Sequence, residues 1–158
     1  MEQNNLSKWL KTVIIGVGLC GLITYLYVLP MFGNYFVFEL WISRQVLCWL
    51  IFLWITSVPC YTVLVFAWKI AANIGRDRSF STDNARYLKS ISILAAADSF
   101  FFFAGNVVYL LLDSSYIAVA LLSCIVAFIG IAVSVASSAL SRLVLKAAEL
   151  QDQSDLTI

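Results

Sequence analysis

One acidic side chain stands alone in an otherwise uncharged stretch: Asp98 is the single charge between Lys89 and Asp113. A carboxyl in such surroundings can hold a proton or a cation, or anchor a ligand; the plainer alternative is an aspartate that is protonated or hydrogen-bonded and fixes helix packing. Asn106 follows two turns later, about 80° further round a helix, so both side chains can face inward. For Asn106 the expected role is an interhelical hydrogen bond, of about 0.6–2 kcal/mol. Hydroxyls expected at a depth matching Asp98 are Thr62, Ser134, Ser137 and Ser138. The rest of the chemical inventory is thin. The chain has no histidine and four cysteines, Cys20, Cys48, Cys60 and Cys124. None sits in a Cys-x-x-Cys pair, so neither zinc binding nor thioredoxin-like redox chemistry is signalled, and each is expected to pack as a small apolar residue. With no phosphate loop and no nucleophile–base pair, neither an enzyme nor a cofactor or metal is expected.

The elements that must position these groups follow from composition and charge. The chain of 158 residues is 62% hydrophobic and 12% charged, with mean hydropathy +0.93. Soluble domains average about half apolar and a quarter charged. A soluble domain of this size buries only about 70% of its surface, which would leave much of this apolar material in water. Charges divide the chain into runs: 27 uncharged residues between Lys11 and Glu39, and 24 between Arg44 and Lys69. A further 23 between Lys89 and Asp113 are broken only by Asp98, and 28 lie between Asp113 and Arg142. A helix needs about 20 apolar residues to cross the hydrocarbon layer. The expected fold is therefore all-α, a single domain forming a four-transmembrane-helix bundle, with helices near Lys11–Met31, Val46–Trp68, Thr82–Leu112 and Tyr116–Leu140. The first run is too long for a signal core and lacks a small-residue cleavage site, so it is expected to remain.

Lysine and arginine set the direction. With the N-terminus inside, cytoplasmic segments hold Lys8, Lys11, Lys69, Arg76, Arg78, Arg86, Lys89, Arg142 and Lys146, nine of the ten basic residues, and only Arg44 lies outside. Both termini, the loop 69–89 and the tail 142–158 are thus expected in the cytoplasm of a bacterial inner-membrane protein. Trp9 and Trp68 at inner boundaries and Trp41 at the outer one suit an aromatic belt. The outer loop Gly33–Gln45 is aromatic and is expected to lie along the surface. Asp113–Tyr116 is short enough to make the last two helices a hairpin. A net charge of +1 offers no excess with which to track phosphates, so direct nucleic-acid binding is not expected.

The inner loop is the most informative stretch. Ser81 is placed to cap a helix starting at Thr82, accepting from the N–H of Asp83 or Asn84, with Asp83 favoured by the dipole of the first turn. Gly75 is expected to end the helix before it. Arg76, Arg78, Arg86 and Lys89 form a basic collar for anionic lipid at the inner face, or a docking surface for a cytosolic protein. On the last helix Ser123, Ala127, Gly130, Ser134, Ser137 and Ser141 recur at steps of three and four, a small-residue stripe for close helix packing. That contact is internal by default, with a homo-oligomer as the alternative. Pro59 removes one backbone bond and favours a kink near Ile55, with Thr56 and Ser57 near enough to satisfy freed groups.

Phe80-Ser81, Asn84, Leu88-Lys89 and Ile91 give a Phe-Ser-x-x-Asn start to the third span. In this the chain resembles a bacterial membrane-protein family known as domain of unknown function 2975, over nearly its whole length. Members commonly carry glycine before the Phe-Ser pair, where this chain has Arg78-Ser79. The resemblance implies a small four-span inner-membrane protein without known catalysis. It also implies a gene often neighbouring that of a small helix-turn-helix regulator, hence a possible cytosolic partner. The functional expectation is a regulatory or sensory protein presenting Arg76, Arg78, Phe80, Ser81, Asn84, Arg86 and Lys89 to such a partner. The alternative is a small transporter or channel subunit using Asp98.

Overall fold

In lipid, a backbone can satisfy its polar groups only by closing its hydrogen bonds within a helix or a closed barrel. The computed structural model describes residues 2–31, 43–112 and 117–155, and every regular element among them is helical. Helix α1 (Glu2–Ile23) passes into a π-helical turn (Thr24–Val28). Helices α2 (Ser43–Ile74), α3 (Thr82–Leu111) and α4 (Ile117–Asp155) follow. Four stretches, Asn4–Met31, Leu47–Ile74, Thr82–Leu111 and Val119–Ser154, are long and apolar enough to cross a membrane. The protein is an all-α membrane protein with four spanning helices.

Several helices overrun the limits drawn from the charge gaps. The first begins at Glu2 rather than Lys11, the second continues past Trp68 to Ile74, and the fourth passes Leu140 and runs to Asp155. Charges mark where lipid ends, whereas a helix ends only where a residue breaks it. Lys, Glu and Gln are good helix formers in water. The 39 residues of α4 therefore reach about 58 Å, and the tail, as far as Asp155, is a continuation of the spanning helix. The outer-loop residues 32–42, with Tyr35, Phe36, Phe38 and Trp41, lie outside the described residues, as do the hairpin turn 113–116 and the last three positions.

Helix α2 ends at Ile74, directly before Gly75, where the end is expected. Asp77, not Gly75, takes the left-handed conformation (φ 57°). Its N–H bonds Ile74 O at 3.2 Å, and the N–H of Arg78 bonds Asn73 O at 3.0 Å, the paired bonds of a Schellman ending. Gly75 serves packing instead. A Cβ there would lie 2.7 Å from Ser7 Oγ, and Ser7, 2% exposed, donates to Ala71 O at 2.6 Å. This pins the start of α1 to the end of α2.

The helices touch in chain order: α1 on α2, α2 on α3, α3 on α4. Among the described residues no Cα of α1 comes within 8 Å of α3 or α4, nor one of α2 within 8 Å of α4. The α3–α4 contact carries the small-residue stripe. Ser123, Ala127 and Ser141 are buried, and a Cβ on Gly130 would collide with Ser99 Oγ. Ser134 donates to Ser92 O at 2.8 Å, and Ser141 to Ala85 O at 2.6 Å. Ser137 is half-buried on the same stripe. Below it Val144 packs with Ala85, Leu88 and Ile70. The stripe is an internal interface.

Pro59 lies inside α2. The Thr56 and Ser57 hydroxyls bond Leu53 O at 2.7 Å and Trp54 O at 2.6 Å, not the carbonyl of Ile55 that Pro59 leaves unpaired. Trp54 instead reaches across to α1, where its Nε1 donates to Tyr25 O at 3.2 Å in the π-helical turn. Such turns displace backbone groups from the regular ladder, and the indole takes one of them.

Candidate functional site

Two places gather polar side chains. The first is the loop between α2 and α3, built round Asn84. Its side chain is 1% exposed. Oδ1 accepts from Asn73 Nδ2 at 2.7 Å, and Nδ2 donates to Arg78 O at 3.1 Å and Ser79 O at 3.0 Å. Its own N–H donates to Ser81 Oγ at 3.3 Å, so Ser81 is the N-cap of α3, with Asp83 in the first turn. One buried amide thus ties the end of α2, the loop carbonyls and the cap together. The serine supplies the cap and the asparagine three positions later supplies the clasp, which gives a physical reason for the Phe-Ser-x-x-Asn spacing.

The clasp leaves Phe80 outside. That ring is 59% exposed and borders a shallow groove between the loop and the far end of α4. Asp77, Arg78, Ser81, Thr82, Ala148, Gln151 and Asp152 complete its lining. Arg78 is exposed in that lining, and Arg76, Arg86 and Lys89 are exposed on the loop and the start of α3. Nearby Lys69 Nζ lies 5.7 Å from the Phe66 ring centroid and 5.4 Å from that of Tyr87, and the two rings stack at 5.7 Å. Lys11 sits 5.5 Å over Trp68. These cation–π contacts hold lysines where spanning helices leave the apolar layer.

The second place is inside the membrane. Asp98 is half-buried, and Cys60 Sγ donates to its Oδ2 at 3.5 Å. Oδ1 is buried without a hydrogen-bond partner. Tyr25, in the π-helical turn that follows α1, has its phenol near Thr56, Cys60 and Asp98. Three helices therefore contribute to one small polar cluster: Tyr25, then Thr56 and Cys60, then Asp98.

The hydroxyls expected at the depth of Asp98 make their bonds to other groups. Thr62 bonds Val58 O on its own helix at 2.8 Å, and Ser134 pairs with Ser92, their oxygens 3.2 Å apart. Asp98 and the next residue, Ser99, point about 100° apart on α3: Ser99 meets Gly130 of α4 while Asp98 meets α2. Ser138 lies with Ser92, Ser134 and Arg142 in a groove along α3 and α4. Asn106, 2% exposed, donates to Phe102 O at 2.8 Å within α3, not across helices. Beside it Gly105 receives the Phe52 ring, which also faces Phe101, Phe102 and Tyr109 at 5.2, 6.2 and 6.1 Å. Tyr25 and Asn73 are not singled out by the sequence, and Cys60, expected to pack as a small apolar residue, donates to Asp98 instead. Antiparallel helices pair residues equally far from their joining loop, and that count puts Cys60 opposite Asp98 and Asn73 opposite Asn84.

No solved structure matches this chain. A relative described as an uncharacterized membrane protein, YoaS of Bacillus subtilis (strain 168), is 28% identical over 163 residues, covering 99% of this chain and all of the relative. The sequence pattern of the family described as Protein of unknown function (DUF2975) matches residues 2–158. With four spanning helices and the motif loop in place over that same length, the chain belongs to this family.

Proposed function

We propose that the protein is a regulatory or sensory component of a bacterial inner membrane, with both termini and the α2–α3 loop in the cytoplasm. There it presents the loop and the end of α4 to a cytosolic protein, of which a helix-turn-helix regulator is the kind the family resemblance implies. One observation carries this reading: the buried Asn84 clasp spends several hydrogen bonds on a loop whose outward product is an exposed aromatic ring beside a mixed-charge groove. An exposed large aromatic with arginine neighbours is the composition of a binding anchor. Arg76, Arg86 and Lys89 serve anionic lipid at the headgroup level. The protein acts by binding and needs no catalytic centre. Co-purification from native membranes followed by mass spectrometry tests this. The wild-type chain should bring down a cytosolic protein that Phe80→Ala loses at unchanged membrane content; equal recovery with both chains ends the proposal.

A second reading has an observation of its own. The unpartnered Oδ1 of Asp98, in a cluster fed by three helices, suits a small transporter or channel subunit that takes a cation or proton at that oxygen. Asp98→Asn should abolish flux in reconstituted vesicles. Wild-type flux from the variant, or none from either chain, removes this reading.

A further inference from the structure

Short side chains along one side of α4 leave a trough beside α3. Ser134, Val135, Ser138, Ala139 and Arg142 line it from α4, and Ser92 lines it from α3. None of them but Arg142 is long enough to fill the gap. The groove holds about 450 Å³, a size found among small-molecule sites.

Its two ends differ. At the deep end the polar groups are matched: Ser134 Oγ donates to Ser92 O at 2.8 Å, so across the 3.2 Å between the two hydroxyls Ser92 is the donor. Towards water they are not matched. Ser138, one turn out from Ser134, is half-buried, and among the described residues its hydroxyl makes no hydrogen bond. Arg142, exposed one turn further out, makes neither a hydrogen bond nor an ion pair among them. No carboxylate lines the groove. Arg142 is the first charge after 28 uncharged residues, so it stands where the apolar layer gives way to headgroups. Ser138 lies about 6 Å inside that level.

We infer that the groove binds the headgroup of one anionic glycerophospholipid. Its phosphate meets the guanidinium fork, whose parallel N–H donors match two phosphate oxygens. Its ester carbonyl lies deeper, within a headgroup layer about 5–7 Å thick, and there accepts from Ser138 Oγ. The acyl chains run on past Val135, Ile131 and Phe128, all three exposed on the same row of α4. The unmatched positive charge selects a lipid with net negative charge, because a choline or ethanolamine cation would need a carboxylate that the groove does not supply. Free phosphate shares the chemistry at Arg142 but has nothing to place along the apolar wall below it. This site is separate from the collar Arg76, Arg86 and Lys89, and it does not rest on the docking role of the loop.

Native mass spectrometry of the full chain, delipidated in detergent and titrated with dioleoylphosphatidylglycerol, tests this. The chain should retain one tightly held lipid, and Arg142→Gln should weaken its binding about tenfold or more, as loss of hydrogen bonds between charged groups does. Ser138→Ala removes one neutral bond and should weaken it about twofold to tenfold. Ala139→Trp fills the groove with every charge in place and should weaken it as much as Arg142→Gln. Lys146→Gln removes the same charge outside the groove and should leave binding within about twofold. Dioleoylphosphatidylcholine should bind about tenfold more weakly, and excess inorganic phosphate should not displace the phosphatidylglycerol. Equal losses from Arg142→Gln and Lys146→Gln, or full binding by Ala139→Trp at wild-type helix content, overturn the site. Equal affinity for the choline lipid, or displacement by inorganic phosphate, overturns the class of ligand.

Discussion

At the scale of single residues, Asn84 and Phe80 separate holding from presenting. The Asn84 amide is the common partner of Asn73, of two loop carbonyls and of the cap. Asn84→Ala leaves buried donors and acceptors unmatched, at about 1–3 kcal/mol for each unsatisfied group that water fails to reach. The variant should lose about 3 kcal/mol in a denaturant titration in detergent, and the 75–81 loop should become sensitive to protease. Ser81→Ala removes the cap alone and should cost about 1 kcal/mol. Phe80 contributes little of this kind, since most of its ring already faces outward. Phe80→Ala should therefore stay within about 0.5 kcal/mol of wild type and show its effect in partner recovery only. If Phe80→Ala unfolds the protein, the ring belongs to the fold and not to a binding face.

At the scale of elements, the glycines record where helices meet. Gly16 has nothing within 4 Å of an added Cβ, whereas at Gly105 the Phe52 ring already fills that place. Gly105→Ala must move a ring held among Phe101, Phe102 and Tyr109. It should destabilise by about 1–3 kcal/mol in the same titration, with Gly16→Ala unchanged or slightly stabilised. A Gly105→Ala chain as stable as Gly16→Ala would mean that Phe52 does not pack against this turn. Much at this scale was legible in the sequence. The gaps between charges announce the spans because a charge in hydrocarbon is expensive, and the Ser81 cap and the α4 stripe follow from local spacing alone. The neighbours of Asp98 were not legible, because depth along a helix can be counted but rotation about it is settled by every helix packed nearby. Hence the group that bonds Asp98 is the thiol of Cys60 and none of the hydroxyls counted to matching depth. Helix ends were not legible either: hydropathy sees the lipid limit at Leu140, and nothing in Arg142–Asp155 breaks the backbone.

At the scale of the whole molecule, four helices meeting in chain order leave α1 and α4 as the two ends of the assembly. Their unequal grip has a consequence. α3 and α4 interlock along their length through Ser92–Ser134, Ser99–Gly130 and Ala85–Ser141. α1 is held at points, by Ser7 on Ala71, Tyr61 on Gly18 and Trp54 on Tyr25. On the proposed topology, charge rather than packing sets the orientation of such an assembly. Nine basic residues flank the spans on one side, with Arg44 alone on the other, and lysine and arginine resist transfer across the membrane during insertion. A phosphatase that works only outside the cytoplasm should be inactive when fused to either terminus and active when inserted in the 33–42 segment. Neutralising Arg76, Arg78, Arg86 and Lys89 together should turn a measurable fraction of chains over, since that removes four of the nine retained charges while the helices stay apolar. Activity at one terminus and not the other would require an odd number of crossings, and the pairing of Asn73 with Asn84 across a single compact loop would then have to be abandoned along with the bias of charge.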